Sequence, residues 1–433
     1  MIPVTLEPLR QFRQQVYQVF HPARDAAFEI MDAICDSPAA RSAVEVSLAP
    51  GMQRRFSSVY KGLERARIDT PALRQWLVRL TESQECFQVA GYAVHVLDHT
   101  PYPRGAAPTV SDRGFVRGAE GEVIGHQYSL LGRVMHPQGT WVGVTDCERI
   151  PTRATPVQVA AQQVARLKTL SAAPFIVTAD SEYFVADLLD QAAPGCCLLA
   201  RLKANRVLYE APPPPSGKRG RPRRHGSRLK LNRPAELRPP DRFYRLEQPD
   251  GGRVELALWQ KVHARTHPDL PLCAIRVEQF QPDGRRRFTR PLWLGWTGPP
   301  DMDWPTFWKV YLRRFCQEGV HQFAKNSLAW TRARLGHTER EERWTWLVLL
   351  AYWQLLLAAP AARDAYRPWE KPTAPGRWPS PARVQRDIGR ILARVETPVR
   401  SPRPRGNPCG RPMGYRPAPR PRYVVVRKRI RGP

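Results

Sequence analysis

The chain has 433 residues, more than one ordinary domain needs, so two or three structural units with a sizeable core are expected. Lys and Arg number 68 against 39 Asp and Glu, a formal net charge of +29 with a pI near 10.6, and an excess of this kind serves a polyanion, with nucleic acid favoured over a membrane surface. The apolar run Trp344 to Ala359 carries Gln354 and is too short to span a bilayer, and the start MIPVTLEPLRQFRQQVYQVF does not read as a signal peptide, so the expectation is a cytoplasmic protein with no membrane partner.

From about Leu6 to Leu80 apolar residues recur at three and four, as in Ala27, Phe28, Met31 and Ile34 and again in Leu73, Trp76, Leu77 and Leu80, which predicts a separate helical domain over 1–88. AVHVLD, HQYSLLGRVM and TWVGVTD follow, rich in β-branched and aromatic residues and divided by Gly and Pro turns; they predict an antiparallel meander. PVQVAAQQVARLKTL is helical, FIVTAD is a strand ending at Asp180, and after a short helix CCLLARLKA is a further strand, so 89–205 reads as the first part of an α/β core.

Between 206 and 300 the pattern is mostly β and includes a basic loop, APPPPSGKRGRPRRHG. Helix returns over 301–368, from Trp304 through Lys325 and then in the apolar run. The segment 369–433 is a basic Pro/Arg-rich tail, expected to be disordered after about Pro398, where no acidic residue remains. The eight cysteines show no ligand spacing and read as reduced thiols.

Asp98 and Asp180 each end an apolar strand pattern, a place where α/β sheets present site residues and also where a turn or cap Asp is common. In YLRRFCQEGVHQFAK, Tyr311, Arg314, Glu318 and Lys325 stand at offsets of three, four and seven, which keeps them on one broad helix face. This arrangement resembles the DDE transposases of bacterial insertion sequences, in the branch marked by Y-x-x-R-x-x-x-E-x-x-x-x-x-x-K; all four signature positions match. The resemblance covers roughly Gly91 to Leu357. In this sequence 82 residues separate Asp98 from Asp180 and 138 separate Asp180 from Glu318, and the second interval leaves room for the β insertion of that branch.

The resemblance implies an RNase H-like core, a mixed sheet flanked by helices, with Asp98, Asp180 and Glu318 as catalytic metal ligands and Asp98 as the bridging one. It implies two Mg²⁺ or Mn²⁺ ions per site, since transfer of a phosphodiester requires charge neutralisation on both the attacking and the leaving oxygen. Tyr311, Arg314 and Lys325 would hold phosphates near the cleaved end, and Phe315, Trp293 and Trp296 are candidates for stacking a flipped base, with core packing the favoured alternative for these aromatics. Implied partners are double-stranded DNA, as terminal inverted repeats and target, and a second copy of the chain in a synaptic homodimer.

Arg219, Arg221, Arg223 and Arg224 surround an R-G-R-P core similar to an AT-hook, a candidate minor-groove contact. Arg420, Arg422, Arg427, Lys428 and Arg429 could add nonspecific phosphate affinity. Asp112, Asp146, Glu148, Glu182, Asp187, His99 and His321 are expected to be structural or supporting. A decayed DNA-binding remnant of a mobile element and an RNase H-like nuclease without strand transfer are the competing readings of the whole.

Overall fold

The computed structural model describes residues 6–84, 86–118, 121–192, 195–214, 223–402 and 410–427. Some helices start where Pro or a short polar side chain suits a free helix end, and others are held by the apolar face they bury. α1 (Glu7–Val19) carries Pro8 in its first turn and buries Leu9, Phe12 and Val16, α2 (Arg24–Cys35) buries Phe28, Met31 and Ile34, and α3 (Phe56–Arg65) buries Val59 and Leu63. α4 (Thr70–Glu82) opens on Asp69, whose carboxylate accepts the Ala72 N–H at 3.1 Å.

Four strands follow: β1 (Tyr92–Pro103), β2 (Gly114–Gly118), β3 (Gly121–Val134) and β4 (Val142–Ile150). β1 pairs antiparallel with β3, and β3 with β2 and β4, so the expected meander is present with one extra strand. α5 (Pro156–Leu170) starts on a reciprocal capping box between Thr155 and Gln158 and leads to β5 (Phe175–Ala179), α6 (Val185–Gln191) and β6 (Cys197–Arg201). β1, β5 and β6 are parallel neighbours. Ala93 to Leu97 of β1 are buried without a break, as befits a strand covered on both faces.

The region 206–300 contributes β7 (Val207–Tyr209), β8 (Arg228–Lys230), β9 (Arg242–Glu247), β10 (Arg253–Ala264), β11 (His267–Phe280) and β12 (Leu292–Trp296). β12 pairs with β6, so these strands extend the central sheet, giving 13 strands in the order β8-β7-β10-β11-β12-β6-β5-β1-β3-β2, with β4 on β3, β9 on β10 and the short strand Gln88–Val89 on β1. One face carries α5 and α6 over Leu97, Val177 and Leu198. The other, built on Val94, Val96, Ile176 and Leu199, carries α7 (Phe315–Ser327), α8 (Thr338–Ala358) and α9 (Pro381–Leu392).

The expected separate N-terminal domain is corrected here, because α1 to α4 share one continuous core with α8 and the sheet. Gln354, the polar residue in the apolar run, is fully buried and joins the parts: the Arg13 guanidinium donates to both carboxylate oxygens of Asp32, at 2.7 and 2.9 Å, and to Gln354, whose amide donates to Asp32 at 3.0 Å. The helix is longer than the apolar run in it, because Thr338 to Arg343 add a charged first turn and a half. Thr338–Ala361 is 24 residues, and its most apolar 18-residue stretch has mean hydropathy 1.4, enough to cross a bilayer by length and composition, yet 83% of that stretch is inside the protein. A helix apolar all round belongs in a core. Trp353 pins it to β4 by donating to the Val144 carbonyl at 2.8 Å. Residue 143 has to be glycine, since a Cβ there would stand 2.6 Å from the Trp353 ring.

The tail differs from expectation as well. α9 packs Val384, Ile388 and Ile391 into the core, and within the described segment 410–427 the stretch Tyr423 to Val426 runs beside Pro108 to Gly114 at the start of β2. There the Tyr423 and Val426 amides donate to Pro108 and Arg113 carbonyls at 2.8 and 2.7 Å, and Arg113 donates to the Tyr423 carbonyl at 3.0 Å. These bonds supply the partners that its composition could not supply alone. Lys428 and Arg429 lie outside the described residues. All described cysteines are free thiols.

Candidate active site

The register between β1 and β5 locates the two aspartates. Ala93 faces Phe175, Val94 faces Ile176 and Val96 faces Thr178, a constant offset of 82 that equals the separation of Asp98 from Asp180. Two steps beyond the last pair the carboxylates therefore sit side by side, Asp180 just past the end of β5 and Asp98 inside β1, which does not end there as its apolar pattern suggested but runs on to Pro103 paired with β3. Strand alternation puts Asp98 on the face of Val94 and Val96, the face that α7 covers.

The signature segment lies above them, with a change in local geometry. Trp308–Arg314, holding Tyr311 and Arg314, is a 3₁₀ stretch, and the α-helix begins at Phe315. Tyr311, Arg314, Glu318 and Lys325 still point to one place. Arg314 lies 3.0 Å from a Glu318 oxygen and 3.8 Å from an Asp98 oxygen, and the Tyr311 hydroxyl donates to Asp180 at 3.4 Å. Further along, the Lys325 ammonium donates to the Thr100 hydroxyl, two residues beyond Asp98 on the same strand. The guanidinium is stacked on Phe315, 4.7 Å from the ring centroid. Glu318 is the open side of the cluster, its side chain 45% exposed against 16% for Asp98.

Burial sets the electrostatics. It lifts the Asp98 carboxyl to about 6, with Asp180 adding to the rise, while His99, Arg314 and the His99 N–H at 2.9 Å oppose it. Burial likewise lowers the Lys325 ammonium, against the pull of Asp98. Burial also works against the charged form of Arg314, but Tyr311, Asp180, Asp98 and Glu318 overcome it and hold its pKa above the ordinary value. Burial takes His321 down to about 3, helped by Lys325, His99 and Arg314, so this histidine is neutral and supports the helix.

Among the described residues no three Asp, Glu, His or Cys side chains stand in a chelating arrangement; a guanidinium lies among the carboxylates. That cation serves as the test of fit. One positive centre already engages Glu318 and lies close to Asp98, and a donor set of carboxylates without thiol or imidazole suits a hard divalent cation.

The other expected site residues divide. Trp293 is buried against Trp259, with centroids 5.4 Å apart, and Trp296 against Phe307 at 4.8 Å, its indole N–H donating to the Pro299 carbonyl at 2.7 Å. Both are core residues, a correction to their candidacy for base stacking, and Phe315, 51% exposed, is the accessible ring. Arg223 and Arg224 are exposed, and Arg219 and Arg221 lie outside the described residues. Asp146 bridges Arg74 and Arg166 at 2.6 and 2.9 Å, Asp112 pairs with Arg149, Glu148 with Arg166, and Glu182 and Asp187 lie 3.6 and 3.7 Å from His99 and His267. Two members of the site were not singled out from sequence. Thr100 could have been found by counting two from Asp98, whereas buried Tyr183, whose hydroxyl lies 2.8 Å from His99 Nδ1, carries no signal short of the fold.

A protein-family model described as DDE superfamily endonuclease matches residues 144–266. The match takes in β4 to β10 and Asp180, while Asp98 and Glu318 fall outside it. No curated protein matches the chain. The family match supports an endonuclease of the DDE transposase type, with the RNase H-like fold that this implies and DNA as the substrate.

Proposed function

We propose that the chain is a cut-and-paste DNA transposase of the insertion-sequence branch, cleaving and joining strands at Asp98, Asp180 and Glu318. The observation that carries the reading is the common offset of 82, which brings Asp98 and Asp180 together on adjacent parallel strands beneath Arg314 and Glu318. When bound by these carboxylates, two Mg²⁺ or Mn²⁺ ions would supply Lewis-acid neutralisation of the attacking and leaving oxygens.

The chain's own residues provide the rest. Glu318, more exposed than Asp98, faces the incoming DNA. Arg314 can present a planar fork to a phosphate and Lys325 a point charge, Tyr311 orients Asp180 through its hydroxyl, and Phe315 offers a ring for an unstacked base. The N-terminal helices and the basic β7–β8 loop would bind the terminal inverted repeats, and two copies would pair the ends.

The test is excision from a supercoiled plasmid bearing the element's own ends, with Mg²⁺ or Mn²⁺, by the wild type and by Asp98→Ala, Asp180→Ala and Glu318→Ala. All four proteins should bind the ends, and only the wild type should excise and join. Unchanged cleavage in any variant removes that residue from the assignment. Cleavage without joined product favours a plain nuclease, and binding without cleavage by the wild type favours a decayed remnant.

A further inference from the structure

A second site lies on the same edge of the sheet. Immediately past the end of β6 a cavity of about 480 Å³ is lined by Lys203, Asn205, Arg206, Val207, Tyr209 and Arg265. Three cations, an amide and a phenol ring face it, with no carboxylate among them. Two neighbouring arginines on the same sheet extension are neutralised, Arg233 by Glu236 at 2.8 Å and Arg238 by Glu210 and by Asp241 at 2.7 Å. Lys203, Arg206 and Arg265 form no ion pair among the described residues. A cluster of unneutralised cations in a concave wall raises local anion concentration.

Its placement indicates which anion. Arg206 is stacked on Phe184, 4.0 Å from the ring centroid, and Phe184 lies in the turn that follows Asp180, so cavity and carboxylates share one rim. On its far side Tyr209 pairs with Arg228 across the β7–β8 hairpin, whose described residues include the exposed Arg223 and Arg224. Hydrogen bonds from Glu210 N to the Ser227 carbonyl, 3.0 Å, and from Gly226 N to the Glu210 carbonyl, 2.9 Å, close the neck of that loop. Lys203 and Arg265 are exposed, so the cavity opens to solvent and a polymer can pass across it.

We propose that this cavity is a phosphate-binding subsite for the DNA backbone, seating a strand between the carboxylate centre and the basic loop. It rests on the reading of the chain as a DNA-cleaving enzyme. Phosphate contacts position a duplex without reading its sequence, and each neutralised phosphate adds about 0.9 to the salt slope of binding to duplex DNA.

The test is the affinity of the full chain for a fluorescent duplex across a range of salt concentrations. Wild type is compared with Lys203→Gln/Arg265→Gln, which changes two exposed side chains, and with the triple variant that adds Arg206→Gln; thermal melting checks folding. The double variant should flatten the slope by about 1.8, at about 0.9 per phosphate contact, with equal losses on unrelated duplex sequences and an unchanged melting temperature. If the folded double variant keeps the wild-type slope and affinity, the subsite is refuted while DNA binding by the chain stands. If the wild type itself binds no duplex, the underlying reading falls and the subsite falls with it.

Discussion

Asp98→Asn, prepared without metal, should make the protein more stable at pH 8. The Asp98 carboxyl titrates near 3.8 in an unfolded chain and is lifted by burial to about 6 in the folded one, so folding takes up a proton between those values. Below about 3.8 both states are protonated and the site adds no penalty; as pH rises through 6 the folded protein must ionise a group it buries, and stability is lost. A shift of about 2 units at about 1.4 kcal/mol each gives a cost of about 3 kcal/mol above pH 6. An asparagine keeps the oxygen that accepts the His99 N–H and removes the charge. With an unfolding entropy of about 2.1 cal/mol/K per residue, a chain of this length gains about 3 °C. The assay is thermal melting of wild type and variant in EDTA at pH 4, 6 and 8: the difference should be near zero at pH 4 and grow to its full size at pH 8. Saturating Mn²⁺ should reverse the order, since only the wild type retains the full ligand set. A variant less stable than wild type at pH 8 in EDTA would refute the argument that burial, and not the neighbouring Arg314, governs this carboxyl.

Arg13→Ala leaves Asp32 and Gln354 without their shared partner, and because Asp32 is partly open to water the loss should sit near the lower end of the range for broken buried pairs, about 3 kcal/mol, read as a fall of about 3 °C in melting temperature. Gly143→Ala drives a methyl into the Trp353 ring and should cost about 1–3 kcal/mol by the same measurement. Phe315→Ala should leave melting unchanged, because the ring is half exposed, yet weaken the complex with a pre-cleaved DNA end by about 1–3 kcal/mol per lost stack in a binding titration. Trp293→Ala, by contrast, should lower the melting temperature through a core cavity costing about 3–5 kcal/mol.

The site was legible where chemistry and periodicity coincide. Asp98 and Asp180 close the apolar runs that announce their strands, although β1 itself continues to Pro103, and the offsets of Tyr311, Arg314, Glu318 and Lys325 survive the passage from 3₁₀ to α-helix because three-residue steps suit both geometries. Packing between distant segments was not legible. Trp293 and Trp296 look like recognition aromatics in a strand, and only the neighbours Trp259 and Phe307 mark them as core. The N-terminal helices read as an independent unit because local periodicity says nothing of what covers an apolar face, and that cover is α8, more than 250 residues on in the chain, from Glu82 at the end of α4 to Thr338. Lys203, Arg206 and Arg265 are ordinary surface cations in sequence; the antiparallel pairing of β7 with the end of β10 is what brings Arg265 to the other two.

The pairing of β12 with β6 has a mechanical side. Leu294 faces Arg201, Gly295 faces Ala200 and Trp296 faces Leu199, and the ladder continues from there through β5 to β1 without a joint. Bending the region 206–300 away from the carboxylates would require breaking backbone hydrogen bonds in the middle of a sheet, so the two ends of this ladder behave as the jaws of a fixed caliper. The span from the β7–β8 hairpin to Asp98 is then a ruler that any bound strand must match, and the deformation needed to fit it falls on the nucleic acid, whose bending has its own sequence-dependent energy.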